Sequence, residues 1–280
     1  MSHSNSGAIL ALDRIVAIAH RGGSRLRPEN TLTAFDHAMT LGVDGLECDV
    51  HLSRDGEVVV IHDATLDRTT DATGPVSALT AQDLRRVDAG FRFGEAQAFP
   101  YRGQQIFVPT LRDVLGRYAT VPVVVEIKGE EIDLARRTVD LVREMNAEAR
   151  VILAGFSQIL LDEVRRLMPS AVTSASSAEV RRAIGRARFL LPTPNIPARV
   201  FQVPFRINGK DVFDRRFVAQ ARRRGIPVQV WIIDEPDDMM RLVGMGVTGL
   251  ISDRPDVAVR IARTAQTEVA GMIPSDARTT

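Results

Sequence analysis

Short β-branched segments recur along the entire chain, and this recurrence restricts the fold more than any other feature of the sequence. Most of them are separated by an amphipathic stretch of helix length, which is typical of βαβ units in a parallel sheet. The sequence predicts nine strands: Arg14–His20, Asp44–Leu52, Gly56–Asp63, Val121–Lys128, Ala149–Phe156, Ala171–Ser176, Val200–Pro204, Pro227–Ile233 and Thr248–Ser252. A closed barrel of eight parallel strands would accommodate all but one of them.

The third predicted strand is the one that does not fit such a barrel. Only Ser53-Arg54-Asp55-Gly56 separates it from the second strand, which leaves no room for a returning helix. Asp-Gly between two apolar runs is a strong hairpin signal. The third strand is therefore expected to run antiparallel to the second, outside the barrel.

Without that strand, the sequence predicts an α/β fold in which residues 1–280 form a single (β/α)8 TIM barrel domain. Residues 51–108 carry the hairpin and are expected to form a small insertion between the second strand and the second helix. Thr110, with Asp113 three residues later, predicts a capping box at the start of that helix. Residues 272–280 are expected to be a flexible tail.

Charge and cysteine content narrow the functional classes. The formal net charge is +1, so no strong overall field would attract nucleic acid or an anionic membrane, and the run from Arg222 to Arg224 is interpreted as the solvated surface of a helix. Cys48 is the only cysteine, which excludes an intrachain disulfide and favours a reducing, cytoplasmic location. The N-terminus lacks a signal-peptide pattern, and no apolar run approaches the roughly 20 residues of a membrane span, so no integral membrane association is expected.

Polar residues occur where the predicted barrel strands end. His20 ends the first strand, Glu47 and Asp49 lie near the end of the second, and Glu126 and Lys128 end the next. Residues two apart on a strand share a face, and parallel neighbours lie about 4.8 Å apart, so the three carboxylates are expected to converge. Unless one of them takes up a proton, their repulsion requires a cation, and oxygen ligands favour Mg²⁺ or Ca²⁺. Alternatively, Glu47 and Asp49 form salt bridges with nearby arginines, and Lys128 only neutralises the charge of Glu126.

The predicted hairpin brings a second histidine to the carboxylates. With the turn at Asp55-Gly56, Arg54 would pair with Glu57, and Asp49 would lie opposite His62 on the same face. A histidine on each side of a bound cation suits phosphodiester cleavage. One takes the proton of the attacking hydroxyl, and the other protonates the leaving alkoxide.

These residues fall within runs that resemble the glycerophosphodiester phosphodiesterase family, and the resemblance spans nearly the whole chain. The runs are His20-Arg21-Gly22, Pro28-Glu29-Asn30-Thr31, Gly45 to Val50, Asp55-Gly56, Val60 to Asp63, Arg68-Thr69-Thr70, Glu126-Ile127-Lys128, Trp231 and Gly249 to Pro255. Each run alone is a weak signal, whereas their order and spacing together are specific.

The resemblance implies a (β/α)8 barrel that hydrolyses glycerophosphodiesters, such as glycerophosphocholine or glycerophosphoethanolamine, to glycerol 3-phosphate and an alcohol. It also implies one bound divalent cation, Mg²⁺ or Ca²⁺. The implied site residues are His20 and His62 as the acid/base pair, Glu47, Asp49 and Glu126 as metal ligands, and Arg21 and Lys128 on the phosphate. Trp231, the only tryptophan, would form an apolar wall for the glycerol or the alcohol group, or else be part of the core.

The chain departs from the family pattern at two places. After Trp231 the family usually has Thr, a small apolar residue and Asn or Asp, whereas Ile232 replaces the Thr here and Asp234 fills the last position. The fourth barrel strand ends in Gly155-Phe156-Ser157, where many members have Ser-Phe.

Two other functions fit the same pattern. The first is cleavage of a lysophospholipid in the manner of a phospholipase D, which would need an exposed apolar trough; Phe201, Val203, Phe205 and Ile207 alternate in a way that could form one. The second is a non-catalytic barrel that only binds a phosphorylated ligand. A turnover assay with glycerophosphocholine distinguishes a binding module from an enzyme.

Overall fold

Strands and helices alternate along the chain in the computed structural model, which describes residues 5–271; the predicted tail, residues 272–280, lies outside the described residues. The strands are β1 (Val16–Ala19), β2 (Gly45–Leu52), β3 (Val58–Val60), β4 (Val123–Ile127), β5 (Val151–Ala154), β6 (Val172–Thr173), β7 (Phe201–Pro204), β8 (Arg206–Ile207), β9 (Lys210–Asp211), β10 (Val228–Trp231) and β11 (Gly249–Ser252). The helices are α1 (Leu32–Leu41), α2 (Ala81–Leu84), α3 (Leu111–Arg117), α4 (Ile132–Glu144), α5 (Gln158–Leu167), α6 (Ser177–Arg188), α7 (Arg215–Arg223), α8 (Pro236–Met245) and α9 (Pro255–Gly271). Short 3₁₀ turns occur at Asn5–Ala8, His20–Gly22, Val76–Ala78 and Glu95–Gln97.

Eight of these strands form the barrel. Their order is β6-β5-β4-β2-β1-β11-β10-β7, and every neighbouring pair is parallel. The two ends of this sheet are joined by a parallel bridge between Ser174 and Val200. The amide of Ala175 donates to the Val200 carbonyl at 2.9 Å, and that of Arg199 donates to the Thr173 carbonyl at 3.0 Å. The predicted (β/α)8 fold is thereby confirmed.

The hairpin of β2 and β3 is antiparallel, as predicted, but its register differs by one residue. Val50 pairs with Val60, so Asp49 lies opposite Ile61, and the amide of Ile61 donates to the Asp49 carbonyl at 3.0 Å. The prediction that His62 lies opposite Asp49 is therefore wrong.

The turn between these strands explains the shift in register. The amide of Ser53 donates to the Glu57 carbonyl at 3.0 Å, which leaves three residues in the loop rather than the two assumed from Asp-Gly. Gly56, with φ of +79°, takes the left-handed position that such a loop places before the second strand.

The segment between β3 and α3 packs around an apolar cluster that is separate from the main core. Its buried members are Val59, Ile61, Leu66, Val76, Leu84, Val87, Ala89, Ile106 and Val108. At its end, the predicted capping box is confirmed: the Thr110 hydroxyl and the Asp113 carboxylate each accept the other residue's amide. The limits 51–108 for an insertion stay a prediction.

The N-terminal segment closes the bottom of the barrel. Ile9 is fully buried in a cluster with interior side chains of β1, β4 and β5, among them Val16 and Ile152. The side-chain amide of Gln229 donates to the Ile9 carbonyl at 2.7 Å. Because Val16 and Gly45, which contacts Ile9, both begin strands, this closure lies at the N-terminal face.

We expect Ile9→Ala to lower the free energy of unfolding by about 2–5 kcal/mol, because the substitution leaves a cavity at a fully buried site. Urea denaturation with unchanged m-value would measure this loss. Ile159→Ala is the matched control, since Ile159 is 66% exposed and its substitution should change stability by no more than about 0.5 kcal/mol. Equal stability of the two variants would contradict a plugged barrel.

Candidate active site

A cavity of about 220 Å³ opens at the C-terminal ends of the barrel strands, and it collects the predicted site residues. Seven of them line it: His20, Arg21, Glu47, His62, Glu126, Lys128 and Trp231. Asp49, the eighth, has no exposed surface and contacts several of the others from behind the cavity wall. The structure therefore brings all eight predicted residues to one place.

Three carboxylates converge at the base of this cavity. Glu47, Asp49 and Glu126 each offer an oxygen, and these oxygens lie within 4.8 Å of one another. Burial, together with the negative charges of Asp49 and Glu126, raises the pKa of Glu47 to about 8. The three carboxylates thus repel one another, and a bound cation would reduce this repulsion.

Asp49 is held in place by polar contacts on both oxygens. The Lys128 ammonium lies 2.8 Å from Oδ1, while the Arg21 Nε lies 3.1 Å from Oδ2 and the Asn30 amide donates to Oδ2 at 2.9 Å. Burial alone would raise the pKa of Asp49, but the two cations outweigh it and hold the pKa below its usual range. Lys128 also lies 2.5 Å from Glu126 Oε1, so it bridges two of the three carboxylates.

The turn after β1 delivers His20. Gly22, with φ of +82°, lets this turn press against α1, since a Cβ there would lie 2.6 Å from the Cβ of Ala34. The Nδ1 of His20 lies 2.6 Å from Asp253 Oδ1, and its Nε2 lies 3.9 Å from Glu47 Oε2. Burial lowers the pKa of His20, but the charge of Glu47 and the bond to Asp253 outweigh it, so the pKa is raised.

Asp253, which follows β11, is itself fixed by the loop after β10. Its amide and the Ser252 hydroxyl both donate to Asp234 Oδ1, each at 2.9 Å. Arg25 lies 3.2 Å from the other oxygen of Asp234. Asp234 is the residue that stands at the family's Asn or Asp position, and its contacts give it a structural role.

His62 reaches the cavity from beyond the end of β3. Its Nδ1 lies 2.5 Å from Asp63 Oδ1, and its carbonyl lies 3.0 Å from the Nε2 of His51. The Arg68 Nε lies 2.6 Å from the other oxygen of Asp63, and this hydrogen bond is the main reason why the pKa of Asp63 falls to about 2. Because His62 follows the strand, the alternation of strand faces does not fix its direction.

An ion-pair chain links the two sides of the cavity. Arg68 contacts Glu29 through both of its terminal nitrogens, at 2.7 and 2.8 Å. Glu29 accepts a further hydrogen bond from Arg21 at 3.0 Å. The partner of His62 is therefore connected, through the half-exposed Arg68 and the mostly buried Glu29, to the cation that contacts Asp49.

Apart from Ser174 and Gln202, the remaining wall of the cavity is apolar. The rings of Trp231 and Phe156 lie 5.6 Å apart at 59°, and Phe156 is 50% exposed at the mouth. Ile232, which replaces the usual Thr, is 41% exposed beside them. Ser157 accepts the amide of Leu160 and caps α5.

The chain also matches a known family. The family model of the glycerophosphoryl diester phosphodiesterases matches residues 20–257. The chain belongs to this family. The predicted family is thus confirmed, and this phosphodiesterase is a phosphoric diester hydrolase by its membership.

Several relatives of this phosphodiesterase cover most of its length. A glycerophosphodiester phosphodiesterase of Caldanaerobacter subterraneus subsp. tengcongensis is 32% identical over 89% of this chain and 98% of the relative. A lysophospholipase D of Rattus norvegicus is 26% identical over 85% and 83%. The solved structure of an Oleispira antarctica phosphodiesterase in complex with the product sn-glycerol-3-phosphate has a TM-score of 0.71 and 24% identity, over 89% of this chain and 96% of that one.

Sequence reasoning about this phosphodiesterase did not assign roles to the partners of the two histidines. Asp253 and Asp63 both lie within the runs that resemble the family, as do Glu29 and Asn30. The sequence signal for such a partner is a carboxylate that lies inside one of these runs, next to the end of a predicted strand. This signal does not indicate which histidine each carboxylate contacts.

We expect Asp253→Asn to lower kcat by about 10–100-fold with little change in KM, because the amide no longer fixes the proton on His20 Nδ1. The pKa of His20 should also fall, since Asp253 helps to raise it. The pH profile of kcat would report this shift. An Asp253→Asn enzyme with the wild-type profile would contradict the role.

Proposed function

We propose that this phosphodiesterase hydrolyses glycerophosphodiesters, such as glycerophosphocholine or glycerophosphoethanolamine, to glycerol 3-phosphate and an alcohol. The observation that carries the proposal is the cavity in which His20 and His62 accompany three carboxylates whose oxygens lie within 4.8 Å. The product bound by the Oleispira antarctica relative and the name of the Caldanaerobacter relative support the substrate class.

The carboxylate cluster fits one divalent cation, Mg²⁺ or Ca²⁺. Glu47, Asp49 and Glu126 would hold it, because oxygen donors suit a hard ion and because burial and the neighbouring carboxylates, which a cation would offset, raise the pKa of Glu47. When bound, such an ion would offset the charge that develops on the phosphoryl oxygens.

The histidines would move the protons of the reaction. His20 has Nδ1 turned to Asp253, which leaves Nε2 toward the carboxylates, and His62 is oriented likewise by Asp63. One imidazole would accept the proton of the attacking hydroxyl while the other donates to the leaving alcohol oxygen.

Arg21 and Lys128 would contact the phosphate. Both line the cavity, and their side chains are 14% and 15% exposed, so they present cations at a mostly buried surface. Arginine and lysine bind phosphoryl oxygens by charge-assisted hydrogen bonds. The rings of Trp231 and Phe156 would receive the glycerol or the alcohol group.

Glycerophosphocholine turnover, measured after chelation and again after Mg²⁺ or Ca²⁺ is added back, tests this function. We expect no hydrolysis without the ion and full recovery with it. Binding of glycerophosphocholine without hydrolysis in either ion would indicate a non-catalytic barrel. Equal rates with and without a chelator would contradict the metal assignment.

Lysophospholipid cleavage is the second candidate, and the Rattus norvegicus relative named lysophospholipase D favours it. The alternating side chains do not form a trough, since Phe201, Val203 and Phe205 are buried. Phe156 and Ile232 at the mouth are the exposed apolar surface that an acyl chain would use. Release of choline from lysophosphatidylcholine faster than from glycerophosphocholine would favour this candidate.

The cellular location belongs to the same proposal. Among residues 5–271 no helix is long and apolar enough to cross a membrane. The single cysteine supports a reducing compartment, for which we propose the cytoplasm.

A further inference from the structure

Positive charge is concentrated in one part of the chain. Residues 180–224 contain twelve Lys and Arg but only two Asp, a net charge of +10, whereas the whole chain carries +1. The remaining residues therefore carry a net charge of −9. Such an asymmetry points to an anionic partner for the part of the molecule that this segment forms.

Among the described residues, one group of cations at the N-terminal face of the barrel lacks carboxylate partners. Helices α6 and α7 run back from the C-terminal face, so the ends of both helices and the segment before β7 lie at the face opposite the cavity. Five exposed arginines are found there: Arg188, Arg199, Arg222, Arg223 and Arg224. Within the described part of the chain, no carboxylate forms an ion pair with any of them.

An apolar tip projects from the same face. Phe189, Leu190 and Leu191 follow the end of α6, and their side chains are 78%, 71% and 46% exposed. Leu190 adopts φ of +57°, a conformation that a leucine takes only at some energetic expense. Folding stability alone would favour a small polar residue at this position. The Leu190 side chain is mostly exposed, so its packing does not explain why a leucine is found there.

A cleft at this face is bordered by arginines. Its volume is about 450 Å³, and its lining includes Arg199, Arg223, Arg224 and Asn195. Arg224 donates to the side-chain oxygen of Asn195 at 3.3 Å. Helices α6 and α7 pack against each other, which brings the ends of both helices to the same face; we call the tip, the cleft and these arginines together the basic apex.

We propose that the basic apex, formed by Phe189–Leu191 and by Arg188, Arg199, Arg222, Arg223 and Arg224, docks the phosphodiesterase on an anionic phospholipid bilayer. The apolar tip enters the boundary between headgroups and acyl chains. The arginines bind the lipid phosphates, and the cleft accepts a headgroup. The run from Arg222 to Arg224 is then a binding surface rather than merely solvated helix.

Two other occupants suit this surface less well. A second copy of the chain would place the same arginines against one another, since a two-fold interface is self-complementary. Nucleic acid would use the arginines but would gain little from Leu190 and Leu191, which have no aromatic ring for base stacking. A bilayer uses both the charge and the apolar tip.

Docking in this orientation turns the active-site cavity toward water. A glycerophosphodiester is what remains when both acyl chains are removed from a phospholipid, so a deacylation reaction at a bilayer must supply it. A barrel held by its N-terminal face would receive this water-soluble product near its source. The inference does not depend on the catalytic roles, because no residue of the basic apex lines the cavity.

Co-sedimentation with vesicles of stated composition tests the proposal on the full chain. We expect binding to phosphatidylcholine vesicles that contain about one third phosphatidylglycerol, weakening as salt is added, and little binding to phosphatidylcholine alone. Arg222→Gln with Arg223→Gln should weaken partitioning about thirtyfold, since each interfacial arginine contributes roughly fivefold. Phe189→Ser with Leu190→Asn should also weaken it, and the loss should persist at high salt.

Matched controls exist away from the basic apex. Arg216 lies at the start of α7 and Arg260 lies on α9; both are exposed and have no ion pair among the described residues, so Arg216→Gln with Arg260→Gln changes the charge equally. Ile159→Ser with Met240→Ser removes equally exposed apolar surface. Both control pairs should bind as the wild type does, and turnover of glycerophosphocholine by all variants should be unchanged.

Three outcomes would overturn the proposal. The first is wild-type vesicle binding by the Arg222→Gln, Arg223→Gln variant, or no binding to anionic vesicles even at low salt. The second is tighter binding to duplex DNA than to the vesicles, which would assign the surface to nucleic acid. The third is a concentration-dependent dimer that the Phe189→Ser, Leu190→Asn variant abolishes, which would assign it to a second copy.

Discussion

Replacing His20 or His62 by alanine is expected to lower kcat for glycerophosphocholine by about 10²–10⁴-fold, the usual contribution of a general acid or base. Each imidazole lines the cavity and has its outer nitrogen fixed by a carboxylate, Asp253 for His20 and Asp63 for His62. Neither variant leaves a proton carrier on its side of the carboxylate cluster. Single-turnover kinetics with saturating ion would measure the effect.

His37→Ala serves as the control for the histidine variants. His37 lies on α1 and does not line the cavity, so its loss should leave kcat within about twofold of the wild type. Thermal melts should show that all three variants fold. A His20 or His62 variant that retains wild-type rates would refute the acid/base assignment.

The metal-free protein is expected to become less stable as the pH rises from about 4.5 to about 8. Burial and neighbouring charge raise the pKa of Glu47 from 4.5 to about 8, so between these values the folded state binds a proton that the unfolded state has released. Stability therefore falls with rising pH across this window, by on the order of a few kcal/mol. Glu47→Gln should remove most of this slope, because the amide does not titrate.

Added Mg²⁺ or Ca²⁺ should reverse the loss in the wild type. The ion binds only the folded state, so it should raise the melting temperature at pH 8, and Glu47→Gln should weaken that rise by lowering ion affinity. Glu148→Gln, at an exposed position, is the control and should respond as the wild type does. A melting temperature that ignores both pH and ion in the wild type would contradict a cation site.

The barrel and its carboxylates could be predicted because each depends on local patterns. Strand length, the spacing of apolar residues in helices and helix caps such as Thr110 are each determined by residues close together in the sequence. Once β2 and β4 are known to be barrel neighbours, alternation alone brings Glu47, Asp49 and Glu126 to one face. The short hairpin β8 and β9 was not predicted, since each of its strands has only two residues.

His62 shows how a correct location can follow from a wrong register. The two-residue turn assumed from Asp55-Gly56 placed His62 opposite Asp49, whereas the three-residue turn places Ile61 there. His62 still lines the cavity because it lies past the end of β3, where contacts with Asp63 and His51 set its direction. Alternation applies only inside a strand, so the sequence pattern had no information about this residue.

The pairing of each histidine with its carboxylate could not be read from sequence at all. Asp253 lies 233 residues from His20, and their contact exists because β11 and β1 are adjacent in the closed barrel. Asp234, from a third loop, holds Asp253 in turn. Contacts of this kind depend on the arrangement of several loops, which one sequence does not specify.

The junction of β6 and β7 has the shortest pairing in the barrel, since these two strands are joined by a single bridge between Ser174 and Val200. The other neighbouring strands of the barrel are paired over at least two residues. Native-state hydrogen exchange at the amides of Ala175 and Arg199 should accordingly be among the fastest in the barrel wall. Ser174 and Ala175 also line the cavity. Transient opening of this junction would widen the cavity on the side opposite the carboxylate cluster, and the proposed substrates with bulkier alcohol groups would need that room.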